Sequence, residues 1–470
     1  MGSSIYYALG IVVFIALGAT PVALAVAGIF YIFTSLSYAE GTAMIPEAGG
    51  SASFARKGFN DFWGLIAGWA LAFSYIITMA ISAYTVPAYL AYFWGRLGEP
   101  TMGTAAAMAI VLFLMCLNVV GVKRSSVLNI AFILLDVLTQ IVIIALAMLF
   151  LFSPVVLFHN VIDYWPSIPE LIFGIAVAAI AYTGIESVSQ LSEEARHPQV
   201  SVPRAYILMM VVVLVLFSGI SVAGFSIMTP VEMASEWARD PIAGIAQGLS
   251  MTIIPAEAAA GVSSNPAAVI VLTAIFGGLL KVLPGLVATL AGTILIVATN
   301  AGLMGISRLT FSLARFRLIP SALSDVQRRF KTPYKSIILF ASIAMLLLIP
   351  GFFASDIFVE LGGLYAFGSL LAFALAHASI LRLRIRHPEL PRPFKLRGNI
   401  KFGGHQLPVT AVLGLVATST IWVIVVAMHP YARWVGFGWM VIGVIVYFVF
   451  RARNRLPLIR TAKEIRVLVD

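Results

Sequence analysis

Two apolar stretches of the chain are interrupted by small polar residues. One is Gly2-Ser3-Ser4-Ile5-Tyr6, and the other is Ala181-Tyr182-Thr183-Gly184-Ile185-Glu186. A helix that unwinds at such a place frees backbone N–H and C=O groups. The N-terminus of the half-helix that follows attracts a carboxylate, and the freed carbonyls accept from an amine. Together the two breaks would bind a small solute carrying either group, and paired breaks in two halves of a membrane protein point to a midplane transport site. The same small residues also serve close helix packing in lipid, and the pattern alone leaves both readings open. Glu186 has two roles open to it, facing a substrate amine or capping the second half-helix.

Asp136 is the one charge between Val127 and Pro154. An ionisable group inside a span is costly and is a functional candidate by default. The apolar surroundings penalise its charged form, so it could load and release a proton. The alternative is a carboxylate hydrogen-bonded to hydroxyls of a neighbouring helix. Weaker candidates have plainer roles beside the functional ones. Asn300 would line a pocket or bridge helices, and Tyr182 would gate the substrate or pack. His377 reads as an interhelical hydrogen-bonding residue, and Glu40 as one half of an ion pair near a helix end.

The elements that must hold these residues follow from composition. The chain has 470 residues, 61% hydrophobic and 11% charged; a soluble domain carries about twice that charged fraction. Spans are read near 2–18, 20–43, 61–94, 102–120, 126–153, 167–191, 204–228, 283–313, 335–352, 356–382, 407–428 and 434–452. A stretch of about 20 apolar residues crosses the hydrocarbon layer as a helix, and backbone satisfaction in lipid favours helices. The reading is therefore an all-α polytopic membrane protein of twelve spans. Residues 1–452 form the membrane domain, 229–282 an external loop with one or two short helices, and 453–470 a basic cytoplasmic tail.

The net charge of +10 is a topology signal. With both termini cytoplasmic, all Lys and Arg except Arg96, Arg239, Lys281 and Arg433 fall on the cytoplasmic side, as the positive-inside bias requires. A thirteenth span at 266–280 would reverse this for every cation from Arg308 onward. A nucleic-acid partner is not expected, since the cations follow helix ends; the tail suits anionic lipid. Cys116 is the only cysteine, so no disulfide forms within the chain, and it reads as a packing residue. An intramembrane enzyme would need a Gly-x-Ser-x-Gly elbow or a His-Glu-x-x-His helix, and direct ATP drive a Gly-x-x-x-x-Gly-Lys loop. The sequence holds none of these, and no residue pattern calls for a cofactor or a metal.

Six motifs in order resemble the amino acid–polyamine–organocation transporter superfamily over nearly the whole length. They are Gly2-Ser3-Ser4-Ile5-Tyr6; Ser37-Tyr38-Ala39-Glu40 with Pro46 and Ala48-Gly49-Gly50; and Asn118-Val119-Val120-Gly121-Val122-Lys123. Next come Tyr182-Thr183-Gly184-Ile185-Glu186 with Glu193-Glu194 and Pro203-Arg204-Ala205; Asn300-Ala301 with Ser307-Arg308; and Arg392-Pro393-Phe394. The resemblance implies a five-plus-five inverted repeat with two further C-terminal helices. It implies substrate binding through the backbone of the first and sixth helices, at Gly2, Ser3, Ser4, Ile5, Tyr182, Thr183, Gly184, Ile185 and Glu186. It also implies alternating access in the cell membrane, driven by protons or by exchange with a counter-substrate.

Three departures from the family pattern matter. The motif's second glycine is Ser4, so the carboxylate pocket is altered. A half-helix that the family places before the motif is expected upstream of Met1. Asp136 stands where some proton-coupled members have a lysine, counted from Gly121. Amino acids or related amines are the expected substrates, with polyamines or other organic cations as the alternative.

Overall fold

The computed structural model describes residues 2–121, 126–182, 184–253, 266–353 and 357–460. It is helical almost throughout. The helices are α1 (Ile5–Ala16), α2 (Thr20–Met44), α3 (Ser51–Gly58), α4 (Asp61–Leu90), α5 (Pro100–Val120) and α6 (Ser126–Phe150). There follow α7 (Pro154–Ile162), α8 (Ile168–Val177), α9 (Ile185–Gln190), α10 (Pro198–Ile227), α11 (Pro230–Ser235) and α12 (Pro241–Ile253). The series ends with α13 (Pro266–Arg315), α14 (Tyr334–Leu348), α15 (Ile357–Arg386), α16 (Val409–Met428) and α17 (Pro430–Arg453). The described strands are β1 (Asn399–Phe402) and β2 (His405–Pro408), an antiparallel hairpin.

Eleven described stretches are long and apolar enough to cross a membrane. The first, Ile5–Met44, contains both α1 and α2, broken at Leu17–Ala19 where Leu17 takes φ 41°. The chain is thus an all-α polytopic membrane protein, as its composition implied. The largest difference from the span boundaries read in the sequence lies at the start of α13. The helix expected to start at Leu283 begins at Pro266, so residues 266–282 extend α13 instead of closing an external loop. Proline suits the first turn of a helix, where its missing N–H is not needed, and Pro284 lies within the helix without ending it.

α4 and α15 form the centre. α4 is rich in Ala, Gly and Ser and is buried along nearly its full length, packed between α13, α15 and α3. Small side chains let helix backbones approach closely where lipid supplies no hydrophobic drive. The outer helices turn large apolar residues to the surroundings, as Leu134, Leu138 and Ile141 do on α6 and Leu208, Val211 and Val215 on α10. Cys116 on α5 is exposed, so it does not pack in the core as its apolar context suggested.

α17 is tied to α4 by a reciprocal pair. Trp69 Nε1–H donates to the Trp439 carbonyl at 2.7 Å, Trp439 Nε1–H donates to the Trp69 carbonyl at 2.8 Å, and the rings stack at 4.6 Å. Both indoles thereby satisfy a buried donor that would otherwise be costly.

Candidate functional site

The helix read as the sixth span is interrupted as expected. α8 starts at a capping box formed by Ser167 and Glu170 and runs to Val177. A 3-10 turn follows at Ala178–Tyr182, and α9 begins only at Ile185. Gly184 has φ 98°, a conformation that other residues adopt at a cost. At the first candidate break, a 3-10 turn at Gly2–Ser4 opens the described residues and leads into α1. Thr183 lies outside the described residues.

The fold brings the two breaks together. Ser4 Oγ–H donates to the Ala181 carbonyl at 2.6 Å. Ser4 therefore occupies one carbonyl that unwinding of the sixth helix would otherwise free, a bond that glycine at this position could not make. A cavity of about 220 Å³ is lined by Ser3, Gly184 and Glu186 from the two motifs and by Asp136 from α6. Its walls are Tyr75, Thr78, Ile133, Val137, Ile294 and Val297, with Ala298, Ala301 and Gly302 on α13. At Gly302 a Cβ would lie 3.1 Å from the Tyr75 carbonyl oxygen, so α4 and α13 meet here backbone to backbone.

Both carboxylates are buried. Asp136 accepts from the Tyr6 hydroxyl and, at 3.0 Å, from Gln140 Nε2–H one helical turn away. Tyr6 is held in turn by Tyr89: the Tyr89 hydroxyl donates to the Tyr6 carbonyl at 2.8 Å, and the rings meet edge to face at 5.3 Å. Glu186 is 2% exposed, and its Oε2 has no partner among the described residues. Among the described residues, no Lys, Arg or His lines this cavity.

Other candidates fall elsewhere. Tyr182 does not reach the cavity; its hydroxyl donates to the Leu24 carbonyl at 2.6 Å, and its ring stacks on Tyr31 at 4.9 Å. Asn300 bridges helices: Asn118 Nδ2–H donates to Asn300 Oδ1 at 2.5 Å. Ile5 is buried at the start of α1, and Ile185 at the start of α9. His377 contacts Ser37 Oγ at 2.9 Å and Thr34 Oγ1 at 3.3 Å, linking α15 to α2. Glu40 forms a bidentate pair with Arg384 at 2.7 and 2.6 Å, and also accepts from the Leu396 N–H at 2.8 Å. The wall residues Tyr75, Thr78, Ile133 and Val137 were missed in the sequence. The only signal for them is spacing, Ile133 and Val137 flanking Asp136 and Tyr75 and Thr78 lying one turn apart.

α11 and α12 pack on α1, and the Tyr89 hydroxyl also accepts from the Ile242 N–H at 3.4 Å. On the side rich in Lys and Arg, α13 lines a second hollow of about 470 Å³ with Asn118, Gln190, Glu194, Ser307 and Arg308. Arg308 pairs with Glu194 at 2.9 Å, and the Ala48 N–H donates to Glu193 at 2.9 Å.

Comparison with known proteins covers nearly the whole chain. The family model described as "Amino acid permease" matches residues 1–450. The chain is 26% identical to a branched-chain amino acid permease of Bacillus subtilis (strain 168), over 91% of this chain and 85% of that protein. It is 25% identical to a methylthioribose transporter of the same organism, over 97% and 91%. It is also 23% identical to the Asc-type amino acid transporter 1 of Mus musculus, over 77% and 63%.

Proposed function

The chain belongs to the amino acid permease family, and from that premise we propose that it is a secondary active transporter of amino acids or related amines, working by alternating access. The observation that carries this reading is the cavity of about 220 Å³ in which both helix breaks meet Asp136 and Glu186. The substrate carboxylate would lie at the start of α1, where the first-turn N–H groups and the positive end of the helix dipole attract an anion. The ammonium would lie at Glu186, whose buried Oε2 is open to a donor. The aliphatic walls Ile133, Val137, Ile294 and Val297 suit an apolar side chain. The relative named for branched-chain amino acids supports that choice.

Asp136 would couple transport to protons. It faces the cavity and is held by a hydroxyl and an amide that can follow its protonation state. Proton binding biases a two-state element only if the two states differ in affinity for the proton. The packing of α11 and α12 on α1 and the hollow along α13 would supply two such faces. The basic face would be cytoplasmic, with both termini on it.

A polyamine or other carboxylate-free cation is the second reading. It is favoured by two carboxylates in a cavity that no cationic side chain lines among the described residues, and by Ser4 occupying the Ala181 carbonyl. Thermal stabilisation of the purified protein by a panel of amino acids and polyamines separates the two, since a ligand stabilises the state it binds. Stabilisation by leucine or valine supports the first reading; stabilisation by polyamines alone supports the second. Gly184→Leu should abolish either effect while the protein remains folded in the membrane. Full ligand stabilisation in that variant would remove the cavity as the binding site.

A further inference from the structure

A hollow of about 830 Å³ lies outside the site already described, where α3, α4, α13 and α17 end on the basic side. Five arginines line it: Arg56, Arg315, Arg317, Arg451 and Arg460. Three carboxylates also line it, and each has at least one partner, although Glu47 Oε2 has none among the described residues. Asp61 accepts from Arg56 at 3.2 Å and from Arg451 at 2.9 Å. Glu47 pairs with Lys57 at 2.6 Å, and Glu193 accepts from the Ala48 N–H at 2.9 Å. Arg315, Arg317 and Arg460 have no carboxylate partner among the described residues.

The backbone at two helix ends is unusual. At the end of α13 the Leu318 N–H donates to the Leu313 carbonyl and the Arg317 N–H to the Ala314 carbonyl, both at 2.9 Å. At the end of α17 the Leu456 N–H donates to the Arg451 carbonyl at 2.9 Å and the Arg455 N–H to the Ala452 carbonyl at 3.1 Å. Both are the paired-bond helix terminus that normally places glycine in the left-handed position. Here that position holds Arg317 with φ 57° and Arg455 with φ 54°. A cation near a helix C-terminus gains from the dipole, but a lysine or arginine one residue earlier would gain as much without a strained backbone. Buried Leu318 and Ile319 and the Arg56 guanidinium over the Phe316 ring at 4.1 Å hold the segment in place. Strain kept by a rigid surround marks a functional position.

We propose that this hollow binds a phosphate group through Arg315, Arg317 and Arg460. Guanidinium pairs phosphate oxygens in a bidentate manner. The hollow stands where the spans Asp61–Leu90, Leu280–Arg315 and Pro430–Arg453 reach their ends, which in a bilayer would put it near the lipid headgroups. Exposed Trp63, Val449, Leu458 and Ile459 beside it offer apolar surface to acyl chains. The phosphate belongs to an anionic phospholipid headgroup or to a free anion, and basic pockets at this depth suit the former.

The test uses the full chain. Thermal midpoints are compared in nanodiscs of phosphatidylcholine with and without phosphatidylglycerol, and in detergent with inorganic phosphate against chloride of equal ionic strength. A rise with phosphatidylglycerol but not with phosphate assigns the headgroup; a rise with phosphate assigns the free anion. The combined variant Arg315→Gln, Arg317→Gly, Arg460→Gln should lose the rise. Arg317→Gly alone should raise the midpoint in phosphatidylcholine, because glycine relieves the left-handed backbone, while shrinking the anion effect. These opposite signs separate loss of binding from loss of folding. No rise with either anion, or an equal rise in the combined variant, overturns the proposal.

Discussion

Asp136 is buried against Tyr6 and Gln140, while Glu186 stands a short way across the same cavity with one oxygen unpaired. The two carboxylates are therefore expected to behave differently on substitution. Asp136→Asn retains the shape and the Tyr6 contact in the neutral form. It should keep substrate binding and counterflow and lose accumulation driven by a pH gradient, measured in proteoliposomes. Accumulation equal to the parent's would make Asp136 structural. Glu186→Gln should instead weaken binding itself, because the ammonium loses its only anionic partner in the cavity beyond Asp136. A different pH effect belongs to Asp240, in the turn before α12. Burial pushes its carboxyl up to about 7, with Arg239 opposing. A carboxyl raised above its unfolded value binds more protons folded than unfolded, so stability falls as pH rises from about 4 to about 7. Asp240→Asn should flatten that fall in the thermal midpoint; an unchanged slope would assign it to other groups.

At the scale of elements, the basic end is held by charges and the centre by close packing. The Glu40 carboxylate ties α2 to α15 through Arg384 and, at 3.7 Å, to Arg392. Both side chains of the Glu40–Arg384 pair are nearly unexposed. Removing one partner of a buried pair leaves the other charge uncompensated, at about 3–5 kcal/mol. Glu40→Ala is therefore expected to lower the thermal midpoint sharply, and Glu40→Ala with Arg384→Met to recover much of it. Failure of the double variant to recover would mean that Arg392 or the Leu396 N–H carries the clamp. The motif Arg392-Pro393-Phe394 had no assigned role in the sequence. Its arginine donates to the carbonyls of Leu383, His387, Pro388 and Leu390 and so folds the segment after α15 back onto that helix.

For the whole molecule, the arrangement of cations predicts the orientation. Cysteine replacing Glu232 in a chain first freed of Cys116 should label from outside, and cysteine replacing Arg328 only from inside; external labelling at 328 would reverse the proposed topology. The spans themselves were legible in the sequence, because hydrophobic length is a local property that lipid reads directly. So was the interruption of the sixth span, because Gly184 marks where a helix can unwind. The start of α13 was not legible: residues 266–280 are too short to count as a span, yet they simply prolong the helix that follows. Nor were the partners. That Ser4 meets Ala181, that Tyr6 reaches Asp136, that Asn300 turns to Asn118 and that Tyr182 packs on Tyr31 depend on how each helix is rotated about its axis. Rotation in lipid is set by contacts between segments far apart in the chain, not by the composition of any one of them. The sequence by itself determined which residues lie in the membrane and where the helices can open; only the tertiary structure decided which of them share a cavity.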